Sequence, residues 1–273
     1  MQQNTASPLS LTVVGGGAMG GALLRGIVRS GVRSAMEVGV SEPNRQLGTA
    51  LADELGIRYL EDNAAAARAD VLLLAVKPQI FSTVVEQLRS HLQSTVIISI
   101  LAGVSLSQLE TAFPDRAVVR VMPNTPALVG EGMSVLSLGS QVSEAQAEEV
   151  RSLFAAVGRV LTVPESQMDA VTAVSGSGPG FLAVWLEALI DGGVNVGLPR
   201  EIATELAIQT ALGTAKLLQS ESLHPALLKD RVTSPGGTTI AGVTAMERGG
   251  VRAATIEAVK AAAERSRQLR EQV

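Results

Sequence analysis

The sequence predicts an α/β fold with an N-terminal, doubly wound and mostly parallel sheet over residues 1–164 and an all-helical domain over residues 165–273. Two observations lead to this prediction. As far as Val163, short apolar runs alternate with Ala-rich stretches, which is typical of strand–helix–strand units. After Pro164 the strand-like runs stop and helical patterns continue.

Eight short runs predict the strands of the sheet. Residues 71–76 and 96–100 are apolar almost without interruption, as expected for strands that helices cover on both faces. In chain order the runs are "LSLTVVG", "MEVGVS", "IRYL", "DVLLLAV", "STVIISI", "AVVRVM", "MSVLSL" and "GRVLTV".

Six helical segments are predicted after Pro164. Pro179, Pro199 and Pro225 fall in first turns, where a missing N–H costs little. The segments rich in Ala, Gly, Leu and Val present more apolar surface than one domain hides, so we expect an obligate oligomer. The predicted segments are Glu165–Val174, Pro179–Val196, Pro199–Gln219, a short piece near Pro225, Thr239–Glu247 and Val251–Arg270.

The composition excludes several kinds of chemistry. The 273 residues contain no Cys and two His, His91 and His224, so disulfides, thiolate nucleophiles and a metal cluster are not expected. A net charge of −4 with scattered basic residues gives no footprint for nucleic acid. The start "MQQNTASPLS" lacks a signal pattern, and no apolar run approaches the roughly 18 residues of a membrane span. We expect a cytoplasmic protein whose partners are small molecules and copies of itself.

The first predicted strand leads into a glycine-rich turn that predicts dinucleotide binding. Gly15, Gly17 and Gly20 form the pattern G-x-G-x-x-G between a strand and a helix. In this context the first glycine permits a tight turn, the second lets the backbone approach a pyrophosphate, and the third allows close packing of helix on strand. The N-terminal domain is therefore predicted to be Rossmann-like.

Two interpretations of the end of the second strand remain open. Glu42 follows Gly20 by 22 residues, close to the spacing of an acid that binds the ribose of NAD. Arg45, with Ser41, Asn44 and Asn63, could instead bind the 2′-phosphate of NADP if Glu42 turns outward to solvent. We expect both cofactors to work, with a slight preference for NADPH.

Two later strand ends are predicted to border the nicotinamide. The fourth strand ends in "AVKP" at 75–78, where Pro78 stops the strand and leaves Lys77 at the crevice. The fifth ends in "SILAG" at 99–103. Ligands of open parallel sheets lie beyond the carboxyl ends of the strands, which favours a role for both segments.

Motifs spread over nearly the whole chain resemble pyrroline-5-carboxylate reductases, which make L-proline by reducing a cyclic imine. The resemblance implies a Rossmann domain, a C-terminal helical dimerisation domain and dimers that assemble further. The motifs are "GGGAMG" at 15–20, "AVKP" at 75–78, "AGV" at 102–104, "MPNTPALVGEG" at 122–132, "AVSGSGPG" at 173–180, "DGGVNVGLPR" at 191–200, "HPALLKD" at 224–230 and "SPGGTTIAG" at 234–242.

The resemblance also implies site residues. Gly236 and Gly237 would bind the substrate carboxylate through their N–H groups, and the catalytic hydroxyl of Thr239 would hydrogen-bond the ring nitrogen, with Glu221 and Thr238 as further substrate contacts. Arg231 departs from the family's usual Asn or Gln, and Gly180–Phe181 from Ala-Tyr. The implied cofactor contacts are Val14, Gly15, Gly16, Gly17, Ala18, Met19, Glu42, Asn44, Asn63, Ala75, Val76, Lys77, Pro78, Ile100, Leu101 and Ala102.

Two other functions are compatible with part of the sequence. A dehydrogenase of β-hydroxy acids would need a helical-domain Lys with Asn four residues later, whereas Lys216 is followed by Gln219 at three. A non-catalytic NAD(P) sensor explains the glycine pattern but gives no reason for the distant Gly-Gly-Thr-Thr segment.

Overall fold

The structure, a computed structural model, describes residues 9–93 and 95–271. The first eight residues of the N-terminal stretch considered above lie outside this range. By its contacts the chain divides into two compact units. The sheet unit contains the chain up to Ser177 and again from Ala262, and the helical unit is Gly178–Ala261.

All eight predicted strands are present in one sheet with the order β3-β2-β1-β4-β5-β6-β7-β8. Neighbouring strands are parallel except β6 and β7, which are antiparallel. The strand order reverses between β1 and β4, and this reversal confirms the doubly wound fold. The strands are β1 (Leu11–Val14), β2 (Val38–Ser41), β3 (Arg58–Leu60), β4 (Val71–Leu74), β5 (Val96–Ser99), β6 (Val118–Met122), β7 (Gly132–Leu138) and β8 (Gly158–Thr162).

Helices cover both faces of the sheet. One apolar cluster joins the first face to α1, α2 and α6, and a second joins the opposite face to α3, α4 and α5. Consecutive residues of β4, such as Leu72 and Leu73, therefore belong to different clusters, and both are fully buried. The helices are α1 (Ala18–Arg29), α2 (Arg45–Leu55), α3 (Asn63–Ala66), α4 (Phe81–Arg89), α5 (Leu106–Ala112), α6 (Glu144–Ala155) and α7 (Met168–Val171).

Five further helices follow α7. Pro225 is the first residue of α10 and Pro179 the second of α8, whereas Pro199 directly precedes α9 rather than lying within it. They are α8 (Gly178–Asn195), α9 (Arg200–Ser220), α10 (Pro225–Arg231), α11 (Thr238–Arg248) and α12 (Val251–Arg270).

The expected break between residues 174 and 179 is wrong, because the chain continues there as a wide π-helical turn at Thr172–Gly176. The N–H of Ser177 donates to the Thr172 carbonyl at 2.8 Å. Pro179 has no N–H for the carbonyl four residues before it, at Ser175. The side chain of Asn124 supplies that donor, at 3.0 Å.

Two buried polar contacts fix helical segments to the sheet unit. Arg120 on β6 is 2% exposed and pairs with Glu165 at 2.5 Å, just before α7. The last turn of α12 lies against α7, where Asp169 accepts from Ser266 at 2.8 Å and pairs with Arg270 at 3.1 Å. The chain thus returns from the helical unit to the sheet unit.

The helices of the helical unit leave many large apolar side chains exposed. On α8, Leu182, Val184, Trp185 and Leu189 are all exposed in the single chain. By length and composition the stretch Glu165–Asn195 is also apolar enough to cross a membrane, and 6% of its apolar window is buried. Exposed apolar surface of this extent marks a region that another molecule covers. Much of the apolar surface of α8 is therefore left uncovered within one chain, in line with the expected oligomer.

Candidate active site

The glycine loop follows β1 at the point where the strand order reverses. Gly15 has φ +103°, and a β-carbon there would lie 2.6 Å from the Ala75 carbonyl oxygen, so only glycine fits. The N–H of Gly15 donates to Ser41 on β2, and the Ala75 N–H donates to Val14 on β1, both at 2.8 Å. These contacts fix the loop between the carboxyl ends of three adjacent strands.

The loop leads directly into the N-terminus of α1. Gly17 is exposed, and no atom lies within 4 Å of the position its β-carbon would take. In the described part of the chain, no side chain caps α1, whose first residues are Ala18 and Met19. A β-carbon on Gly20 would instead overlap the carbonyl oxygen of Gly15. The loop therefore combines open space with uncapped helical N–H groups, an arrangement suited to a pyrophosphate.

Glu42 lies at the carboxyl end of β2 and turns toward the loop. Its Oε2 accepts from the Gly16 N–H at 2.8 Å, and its Oε1 accepts from the Asn44 N–H at 3.0 Å. The hydroxyl of Tyr59 donates to the main-chain carbonyl of Glu42 at 3.1 Å. The outward orientation on which the slight preference for NADPH depended is therefore absent from this structure.

The four side chains predicted as a phosphate cradle contact other protein groups in this structure. The Ser41 hydroxyl donates to Asn63 Oδ1 at 2.7 Å, and the Asn63 amide donates to Gln87 at 2.7 Å. Asn44 caps α2 by accepting from Leu47, and exposed Arg45 lies 3.6 Å from Glu61. These groups instead organise the loops beyond β2 and β3.

A cavity of about 540 Å³ lies beyond the ends of β1 and β2. Its walls combine the glycine loop, the start of α3 and one side of α4. Glu61 and Asp62 are two acidic residues that line it. Its lining residues include Val14, Gly15, Ser41, Pro43, Asn63, Val76, Ile80, Thr83 and Gln87.

The other predicted cofactor residues also lie at strand ends of the sheet unit. Val76 and Pro78 follow β4, and exposed Lys77 precedes a short 3₁₀ turn that begins at Pro78. After β5, Ile100 is half-buried, Leu101 is buried and Ala102 is exposed. Both segments extend from the carboxyl edge of the parallel strands.

A salt bridge ties α1 to α2 beside the glycine loop. Arg25 pairs with Glu54 at 2.6 Å, and Arg29 approaches the same carboxylate at 2.9 Å. The hydrogen bond from Arg25 lowers the pKa of Glu54 and raises the pKa of the Arg25 guanidinium. Both groups are well exposed, so the bridge contributes modestly to stability.

The predicted substrate residues belong to the helical unit. Ser234–Gly237 forms a tight turn in which the Gly237 N–H donates to the Ser234 carbonyl at 3.0 Å. Pro235 followed by Gly236 at φ +69° gives this turn the features of type II. The turn leads into α11, which begins at Thr238, and among the described residues no side chain caps that helix. The segment thus places successive N–H groups at a helix N-terminus, where an anion binds favourably.

Glu221 lies at the end of α9 and forms an exposed ion pair with Arg231 at 2.7 Å. The two departures from the family pattern therefore lie in different parts of the helical unit. Arg231 lies at the end of α10 with Glu221, whereas Gly180 and Phe181 lie in the first turn of α8.

Two residues that position the loops were not identified from the sequence. Tyr59 anchors the main chain of Glu42, and its ring occupies the space left by Gly48. Asn124 bridges the Met133 N–H and the Ser175 carbonyl. Their signals were a lone Tyr inside the short run "IRYL" and an Asn inside the "MPNTP" motif, and neither pattern specifies a partner.

The sheet and its glycine loop define the class of protein. Open space over Gly17, the uncapped N-terminus of α1 and the carboxylate of Glu42 fit the pyrophosphate and ribose of a dinucleotide. The chain is a Rossmann-type dinucleotide-binding protein.

Comparison with known proteins identifies the family. Residues 165–269 match the model described as pyrroline-5-carboxylate reductase dimerisation, and residues 10–103 match the model described as NADP oxidoreductase, coenzyme F420-dependent. The pyrroline-5-carboxylate reductase of Synechocystis is 48% identical, with 96% of this chain and 98% of that protein covered. The chain belongs to the pyrroline-5-carboxylate reductase family.

Solved structures agree with this assignment. The pyrroline-5-carboxylate reductase of Coxiella burnetii superposes with a TM-score of 0.91 at 32% identity, covering 96% of this chain and 98% of that one. The pyrroline carboxylate reductase of Plasmodium falciparum, solved with NADP bound, superposes with a TM-score of 0.86 at 31% identity and the same coverage.

Proposed function

We propose that this chain reduces 1-pyrroline-5-carboxylate to L-proline with NAD(P)H, the last step of proline biosynthesis. The observation that carries the proposal is the turn at Ser234–Gly237, which presents uncapped N–H groups at the start of α11 in a chain with a separate dinucleotide loop. A sensor of NAD(P) would have no use for this second anion site. The relatives named above support the reaction.

The sheet unit holds the cofactor in this proposal. When bound, the reduced nicotinamide supplies the hydride. The Gly15–Met19 segment binds the pyrophosphate, Glu42 and the segment Ser41–Arg45 bind the adenosine end together with Asn63, and the segments Ala75–Pro78 and Ile100–Ala102 border the nicotinamide. NADP is the cofactor named for the Plasmodium relative and for the matched family model. We expect this chain to accept NAD as well.

The helical unit holds the substrate. The substrate carboxylate binds at the Gly236–Gly237 turn. Because the Gly237 N–H already donates to the Ser234 carbonyl, the donors assigned to the carboxylate are the Gly236 N–H and the uncapped N–H groups of the first turn of α11, which adds its positive dipole. Thr238 and Glu221 are further substrate contacts. The hydroxyl of Thr239 accepts a hydrogen bond from the N–H of the protonated imine and so orients the ring.

Positioning supplies most of the rate acceleration. The candidate residues offer hydroxyls, backbone amides and one carboxylate, and reduction of a protonated imine needs no covalent intermediate. Holding two reactants in an aligned geometry lowers a barrier by roughly 7–11 kcal/mol. The residues at the two helix N-termini are therefore binding and orienting groups rather than strong acids.

In functional terms we divide the chain into a cofactor-binding domain, residues 1–164, and a domain for substrate binding and dimerisation, residues 165–273. The exposed apolar face of α8, with Val184 and Trp185, is the surface that self-association would cover. We propose that the chain forms a homodimer and that these dimers assemble further. The proposed location is the cytoplasm, without nucleic acid or membrane partners.

The test is the disappearance of reduced-nicotinamide absorbance on addition of 1-pyrroline-5-carboxylate, with β-hydroxy acids and oxidised cofactor as the comparison. We expect imine-dependent oxidation and no reaction of the hydroxy acids. Turnover of a hydroxy acid would favour the other dehydrogenase class. Cofactor binding without any turnover would favour the sensor.

A further inference from the structure

Glu42 is held against the glycine loop by both of its carboxylate oxygens. Oε2 accepts from Gly16 at 2.8 Å and Oε1 from Asn44 at 3.0 Å. Behind it, Tyr59 fixes the Glu42 main chain, and its ring occupies the space that a side chain at Gly48 would fill. The carboxylate is therefore a fixed part of the loop rather than a mobile surface group.

This position is the one from which an acid meets the adenosine ribose. The ribose is one phosphoester linkage from the pyrophosphate, so a carboxylate bonded to the pyrophosphate loop at Gly16 lies within its reach. A carboxylate accepts hydrogen bonds from the 2′- and 3′-hydroxyls of an unmodified ribose. A 2′-phosphate has no hydroxyl to donate there and carries its own negative charge.

The other charged side chains beyond the ends of β2 and β3 do not offset the negative charge of Glu42. Glu61 and Asp62 line the adjacent cavity and add two carboxylates. Arg45, the cation of this loop, lies 3.6 Å from Glu61, and both side chains are more than three-quarters exposed. The guanidinium of Arg45 therefore faces Glu61 and solvent. Around this site three acidic side chains, those of Glu42, Glu61 and Asp62, stand against one basic side chain.

We propose that this chain binds NADH more tightly than NADPH, although both serve the reaction, and that Glu42 is the residue that sets the ratio. The inference rests on the proposed function for the identity of the cofactor. It concerns the equilibrium preference between ribose and 2′-phosphoribose, which the family assignment leaves open. Specificity arises here from a fixed repulsive group rather than from an extra attractive contact.

Equilibrium titration tests the proposal without turnover. The dissociation constants of NADH and NADPH are measured by the change in their fluorescence on binding, for the wild-type chain and for Glu42→Gln. We expect a wild-type ratio in favour of NADH of about tenfold or more, and a fall of similar size in Glu42→Gln because the charge is removed while one acceptor remains. Raising the salt concentration should lower the wild-type ratio, since salt screens the repulsion.

The matched control is Glu37→Gln, which removes an equal charge just before the other end of β2. We expect it to leave the ratio unchanged. The proposal is overturned if the wild-type chain binds NADPH as tightly as NADH, or if Glu42→Gln leaves the ratio where it was. The wild-type measurement needs no variant, so a folding defect in Glu42→Gln cannot conceal the answer. Tight NADH binding without reduction of 1-pyrroline-5-carboxylate would contradict the proposed function alone.

Discussion

The side-chain amide of Asn124 donates to the main-chain carbonyl of Ser175 at 3.0 Å, at the point where a π-helical turn precedes α8. The same side chain accepts from the Met133 N–H at 2.8 Å. Pro179 has removed the helical donor for Ser175, so Asn124 replaces a main-chain hydrogen bond that the sequence itself excludes. Wide turns of this kind are frequent at functional sites.

Asn124→Ala should destabilise the chain, because it leaves one carbonyl and one N–H without their partner. We expect a loss of about 1–3 kcal/mol, seen as a lower midpoint of urea unfolding at fixed protein concentration. Gln141→Ala, on an exposed loop, is the control and should change nothing measurable. An unchanged midpoint for Asn124→Ala would mean that water replaces the side chain at no cost.

Gly17 in the glycine loop and Gly20 in the first turn of α1 should respond differently to alanine. At Gly17 a β-carbon meets no neighbour within 4 Å, so Gly17→Ala should fold normally but fill space meant for the pyrophosphate. We expect its affinity for either cofactor to fall about tenfold or more. Gly20→Ala should instead impair folding, because its β-carbon overlaps the Gly15 carbonyl. Thermal unfolding and cofactor titration separate the two effects, and equal losses of stability would contradict the steric account.

Thr239→Ala should lower kcat while the fold stays intact. A hydrogen bond to a charged group contributes about 1.5–3 kcal/mol, which corresponds to a loss of roughly 10- to 100-fold. Thr244→Ala, on the same helix, is the matched control, since its hydroxyl donates only to the Ile240 carbonyl. Wild-type kcat in Thr239→Ala would remove that hydroxyl from the mechanism.

A charge on the exposed face of α8 should weaken self-association. Val184 is 68% exposed in the single chain, so Val184→Glu should be tolerated by the monomer but disfavoured in a covered surface. Sedimentation velocity at micromolar concentration should show a shift to smaller species. Met36→Glu, at a site 70% exposed in the sheet unit, is the control. An unchanged oligomer in Val184→Glu would place the interface elsewhere.

Much of the fold could be predicted from local sequence patterns. All eight strands were expected, because runs such as residues 71–74 are buried on both faces and carry no polar position. The continuity between residues 174 and 179 was not predicted, because it depends on Asn124, which lies far away in sequence. A long-range side-chain donor leaves no periodic signal around the proline that it compensates.

The residues of the glycine loop were predicted from the sequence. The orientation of the Glu42 side chain beside it was not. The spacing of Gly15 and Gly20 specifies a turn and a close helix, and both are present. Whether Glu42 faces the loop or solvent depends on two backbone N–H groups and on Tyr59, whose positions follow from the folded sheet. The slight preference for NADPH rested on an orientation that sequence could not specify.

Transfer of the hydride from the cofactor to the imine can be followed directly with an isotope label. The chain is incubated with 1-pyrroline-5-carboxylate and nicotinamide cofactor carrying deuterium at the transferred position, and the product is analysed by mass spectrometry. We expect L-proline with one deuterium at the former imine carbon. Proline without deuterium, or oxidised cofactor without proline, would contradict the proposed function.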